Sequence, residues 1–209
     1  YGSLPQRYLS VLLHELAHQY SQNNTGAVKT FRNQFAAEAT TFLDKVQEEG
    51  LAIFVQDIIQ KETLTINVEK LKKRCEELDT MLPSTRILGR ETPEVIKGVF
   101  KKLNDKRLAY EYGEALYLLL FLDFVENREK PPKKSFFKRI LNVFAQKETP
   151  LQIESIDISS VDMQTRKNFL TKMKLYDTKE FLRKVCGLLQ ANMIKSYAFR
   201  KMVTSQYKL

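Results

Sequence analysis

The chain is 209 residues long, 43% hydrophobic and 28% charged, values that exclude a disordered chain, a collagen-like repeat and a disulfide-stapled miniprotein. Only 7 Gly and 6 Pro occur, which argues against a turn-rich β sandwich and for long helices. The net charge of +9 is uneven: residues 1–100 carry 12 Lys and Arg against 13 Asp and Glu, and residues 101–209 carry 22 against 12.

The chain opens at Tyr1 without a charged, apolar leader and is expected to be a processed or cut form. Leu9, Leu12, Leu13, Leu16 and Tyr20 follow the helical spacing of a first helix, which the polar cluster Asn23 to Gly26 ends. A long helix is predicted from Phe31 to Gln60, with Phe31, Phe35, Phe42, Val46 and Ile53 on one stripe. Further helices are predicted near 66–82, 93–104, 108–128, 133–146, 162–174 and 177–203, with Pro83, Pro93, Pro131, Pro132 and Pro150 between or at the start of them. Leu151, Ile153, Ile156 and Ile158 give the one β-like alternation, an extended connection or a short strand. The longest uncharged apolar run, Ala115 to Leu122, is 8 residues, so no transmembrane segment is expected where roughly 18 are needed. Cys75 and Cys186 form no metal-spaced pair and read as buried small hydrophobes. Pro131-Pro132 with its flanking lysines divides the chain into a catalytic helical part, 1–130, and a basic helical part, 131–209.

The two histidines of the chain both fall in His14-Glu15-Leu16-Ala17-His18. Residues four apart on a helix share a face, so both imidazoles can reach one tetrahedral Zn²⁺. Glu15, one position on, is placed to act on a zinc-bound water as general base and to pass the proton to the leaving amine. A hydrolytic zinc takes three protein ligands and keeps one position open, and no histidine remains, so the third ligand is expected to be a carboxylate. Glu38 and Glu49 both interrupt the apolar stripe of the long helix, where an unpaired buried carboxylate is costly.

His14-Glu15-Leu16-Ala17-His18-Gln19-Tyr20, followed by Glu48-Glu49-Gly50-Leu51-Ala52, resembles the gluzincin metallopeptidases, in particular their aminopeptidase-N-like branch. The resemblance implies a thermolysin-like helical catalytic subdomain with additional C-terminal helices and little β, and makes Glu49 the third zinc ligand. Thirty residues separate His18 from Glu49, where the branch has about 18, so an insertion is required. Glu38 is the rival ligand, because Glu38-Ala39 resembles a segment of thermolysin-like proteases. It departs from that pattern at Phe42, where an Asp is expected. With Glu49 as ligand, Glu38 is left to orient a histidine. Tyr110-Glu111-Tyr112-Gly113 resembles the branch's Tyr-x-x-Gly segment, whose Tyr donates to the oxyanion of the tetrahedral intermediate, and that role falls on Tyr110 rather than Tyr112. The branch also carries a β-sheet lobe before its active-site helix, and with 13 residues before His14 that lobe is expected to be missing.

The expected function is zinc-dependent hydrolysis of peptide bonds, with endopeptidase and aminopeptidase action both open. The alternative is a non-catalytic zinc-containing interaction module that uses its basic half on a partner or an anionic surface. That half is expected to give weak, salt-sensitive attraction to acidic surfaces, acidic peptides included, and no sequence-specific nucleic-acid recognition, because no reading module accompanies the charge.

Overall fold

The computed structural model describes residues 31–59, 64–83, 93–129 and 149–207. The expected first helix, with His14, Glu15 and His18, lies outside the described residues, as does the helix expected at 133–146. The described residues form a mainly helical fold, as the composition and periodicity predict. In chain order the elements are α1 (Phe31–Ile53), which runs on into a π-helix (Phe54–Ile59), β1 (Thr65–Asn67), α2 (Val68–Met81), α3 (Pro93–Leu103) and α4 (Lys106–Glu129). After them come β2 (Ser155–Asp157), a short 3₁₀ turn (Ile158–Ser160), α5 (Met163–Lys174), α6 (Thr178–Ala191) and α7 (Tyr197–Tyr207).

Short polar side chains start most of the later helices by accepting from backbone N–H groups that have no partner within the helix. Asn67 accepts from Lys70 at 2.9 Å, Asp162 from Thr165 at 2.8 Å and Asp177 from Glu180 at 2.7 Å. The start of α7 is capped from elsewhere in the chain: Asp79 of α2 accepts from the N–H groups of Ala198 and Phe199 at 3.1 and 2.9 Å.

The single helix expected at 177–203 is two. Met193 takes a left-handed φ of 55°, and the Ile194 N–H closes on the Leu189 carbonyl at 2.9 Å, the geometry that terminates a helix. Buried Asn192 holds the break, donating to Leu188 O and accepting from Leu151 N at 2.9 Å each. The expected helix at 66–82 likewise begins with a strand. Thr65, Ile66 and Asn67 pair antiparallel with Asp157, Ile156 and Ser155, so the alternation after Leu151 does yield a short strand.

α1 and α4 lie side by side and run the same way, with Gly50 against Gly113 and, further along both helices, Phe54 against Phe121 at a ring-centroid distance of 5.4 Å. Helices α5, α6 and α7 pack on α1, α2 and α4, so residues from both sides of Pro131-Pro132 share one hydrophobic core. At its centre the Phe169 ring lies 4.6 Å from Phe54 and 5.3 Å from Phe121, while Phe181 lies 5.1 Å from Tyr117. Buried Arg166 joins segments about 100 positions apart here. Its guanidinium donates to Ile58 O at the end of the π-helix (2.9 Å), Ile158 O (2.6 Å) and Val161 O (3.0 Å). No helix of the described residues is long and apolar enough to cross a membrane.

Candidate active site

On α1 the buried stripe runs through Ala39, Phe42, Val46, Gly50 and Ile53, and Glu38 and Glu49 are half-buried beside it. The two glutamates share an azimuth, but the 11 positions between them set them about 16 Å apart along the axis. They therefore serve different neighbourhoods. Glu38 accepts at 3.0 Å from the side chain of Asn104, in the turn between α3 and α4. Glu49 lies near the middle of the α1–α4 contact, next to Gly50.

That contact is unusually close, and two glycines permit it. A Cβ on Gly113 would lie 2.5 Å from the Gly50 nitrogen and 2.6 Å from the Val46 carbonyl oxygen. A Cβ on Gly50 would run into the Tyr117 ring and lie 2.6 Å from the Gly113 carbonyl oxygen. The Glu-Gly pair at 49–50 and the Tyr-x-x-Gly segment at 110–113 thus meet through their glycines, and Glu49 is near enough to act on Tyr110.

Of the two tyrosines in the second segment, Tyr112 belongs to the core. It is fully buried and stacks on Phe199 at 5.0 Å. Tyr110 is half-buried, and its phenol is held above the ordinary tyrosine range first by burial, then by the negative charges of Glu114, Asp57 and Glu49. Three carboxylates that act on one phenol mark a negative local potential. It keeps the phenol protonated and able to donate. Among the described residues no group of three or more His, Cys, Asp or Glu side chains converges on a metal position.

A cavity of about 500 Å³ adjoins the cluster, bounded by Gly50, the π-helix, β1, α2 and α4. Asp57 and Glu114 line it and also press on Tyr110, which makes cavity and phenol neighbours. Across the cavity Arg74 of α2 is paired with Glu111 of α4, and Arg107 donates to the same carboxylate at 2.9 Å. Neither Asp57 nor Glu114 belongs to a motif. Their sequence signals are weak: Asp57 interrupts the apolar run Phe54 to Ile59, and Glu114 sits one turn beyond Tyr110.

Compared with known protein families, curated proteins and solved structures, the chain matches none.

Proposed function

We propose that the chain is a zinc metallopeptidase in which His14, His18 and Glu49 hold one Zn²⁺, Glu15 is the general base and Tyr110 the oxyanion donor. The observation that carries the reading is the Gly50–Gly113 crossing, which draws Glu49 and Tyr110, 61 positions apart, into one electrostatic neighbourhood. The histidine pair supplies the remaining donors that a three-ligand site needs.

A zinc ion held there would supply a water of lowered pKa and would polarise the scissile carbonyl. Glu15 accepts the proton of the attacking water and returns it to the leaving amine, and Tyr110 donates a hydrogen bond to the oxygen that gains negative charge. The negative surroundings of Tyr110 favour its protonated form, the form that can donate.

Metal analysis of the purified protein and its variants tests the ligand set. Stoichiometric zinc is expected in the parent and lost in His14→Ala and Glu49→Gln. Retention by both variants would overturn the assignment, and loss in Glu38→Gln alone would transfer the third ligand to Glu38. Glu15→Gln should keep zinc and lose cleavage, and Tyr110→Phe should lower kcat by about 100-fold, or about 3 kcal/mol. Blocked and free-amine peptides separate endopeptidase from aminopeptidase action. Cleavage unaffected by Glu15→Gln would overturn this proteolytic mechanism, and no cleavage by the zinc-loaded parent would leave the interaction-module reading. That alternative draws support from the exposed lysines of α5 to α7, including Lys167, Lys172, Lys179 and Lys201, which suit weak contact with anionic surfaces.

A further inference from the structure

We propose that the cavity beside Glu49 and Tyr110 takes the side chain of a lysine or arginine from an extended peptide, an inference that rests on the peptidase reading above. At about 500 Å³ the cavity exceeds any single side chain, so main chain enters with it, and the volume falls in the range of ligand sites.

Its walls are largely apolar, formed by Ile53, Phe54, Ile58, Leu71 and Leu118. Five charged residues line it: Asp57, Glu111, Glu114, Lys70 and Arg74. Arg74 and Glu111 are engaged with each other, and Lys70 stands exposed on the first turn of α2. Asp57 and Glu114 are half-buried, and one carboxylate oxygen of Asp57 is out of reach of solvent. Apolar walls with carboxylates inside suit an amphipathic cation, whose methylene stem covers the walls while its head meets the acids. Each carboxylate offers about four lone-pair positions, so the head adds to the bonds those groups already make. An acidic side chain would meet like charge there, and an aliphatic one would desolvate the acids without a bond in return.

β1 offers the main chain a place to lie. Its bonds to β2 fall at Leu64, Ile66 and Val68, so the N–H and C=O of Thr65 turn away from β2 while Thr65 itself lines the cavity. Among the described residues that edge of β1 carries no further strand, and an open strand edge pairs with extended peptides. The basic half of the chain favours acidic peptides only at long range, where salt screens it within about 8 Å at physiological ionic strength, whereas the cavity selects at contact.

The test measures binding and cleavage separately on blocked pentapeptides Ala-Ala-X-Ala-Ala, with X as Lys, Arg, norleucine or Glu, in about 0.3 M salt to suppress the long-range field. Binding is followed by calorimetry on the full-length Glu15→Gln protein. Lys and Arg peptides should bind at least ~10-fold more tightly than the norleucine peptide, equivalent to ~1.4 kcal/mol, with the Glu peptide weakest. Asp57→Asn should bring the Lys-to-norleucine ratio to within about twofold, and Glu114→Gln, a second variant at an independent position, should at least halve it. A ratio near one in the parent, or a preference that survives in both variants, would overturn the proposal. Lys-selective binding without cleavage by the parent enzyme would count against the peptidase reading alone. Cleavage with no Lys or Arg selectivity would count against the cavity proposal alone.

Discussion

Gly113→Ala tests whether the α1–α4 crossing has the closeness described. The added methyl would meet the Gly50 nitrogen at 2.5 Å, the Val46 carbonyl oxygen at 2.6 Å and the Gly50 Cα at 2.9 Å. All three are backbone atoms, so no side chain can rotate aside. To bring the nearest contact to the 3.4 Å where ordinary packing begins, the helices must part by about 0.9 Å. A gap of that size forfeits a quarter to a half of the dispersion energy along the seam, and overpacking at a rigid site costs about 3 kcal/mol. Alanine returns about 1 kcal/mol in helix propensity, which leaves a net loss of about 2 kcal/mol. Gly98 on α3 is the control, since a Cβ there meets nothing within 4 Å. Gly98→Ala should therefore gain about 0.5–1 kcal/mol. Thermal unfolding followed by circular dichroism should show Tm falling by about 4–8 °C for Gly113→Ala and rising by about 1–4 °C for Gly98→Ala. If Gly113→Ala proved as stable as Gly98→Ala, the close crossing, and with it the placement of Tyr110 near Glu49, would have to be abandoned.

Three further expectations concern buried polar groups. Arg166→Met removes the donor to three backbone carbonyls and should cost about 3–5 kcal/mol in urea unfolding; a loss under ~1 kcal/mol would mean that water replaces the guanidinium there. Burial holds the Asp44 carboxyl above the ordinary range, against hydrogen bonds from Thr178 and Tyr207. A raised folded pKa gives stability that is complete below the unfolded value of about 3.9 and is lost as pH climbs through the folded one. Asp44→Asn should thus be the more stable protein at pH 7, with the difference closing below about pH 4, and a pH-independent difference would contradict the cause given. Burial pushes both thiols, Cys75 and Cys186, up to about 12, so a thiol reagent at pH 8 should label neither until denaturant is added.

The sequence was most legible where structure is local. Apolar spacing marked α1 and α4, and among the described residues Pro83 and Pro150 fell outside helices and Pro93 at the start of one. What escaped was set by distant partners. Nothing between Ala191 and Ser196 is a proline or glycine, so the break between α6 and α7 is unmarked locally. It depends on Asn192 reaching Leu151 and on Asp79 capping α7. Thr65 to Asn67 form a strand because a partner 88 to 92 positions later pairs with them. Periodicity likewise placed Glu38 and Glu49 on one stripe without ranking them. They part company only when α4 and the turn before it lie alongside and set Tyr110 near one and Asn104 against the other. Asp57 and Glu114 carry no motif, because a cavity wall assembled from six elements imposes no spacing on any of them.

The capping of α7 by Asp79 has a consequence for biosynthesis. Asp79 leaves the ribosome 119–120 positions before Ala198 and Phe199, whose N–H groups it accepts, an interval of roughly 6–24 s at ordinary rates of translation. During that interval the carboxylate can be solvated at little cost, but the Tyr112 ring, made 87 positions before the Phe199 that covers it in the finished protein and so about 4–17 s earlier, has no such substitute. The nascent chain therefore carries that aromatic face without its Phe199 cover until Phe199 is made. Slowing translation ahead of Tyr197 would lengthen the exposure to chaperones and to neighbouring nascent chains without altering the native state at all.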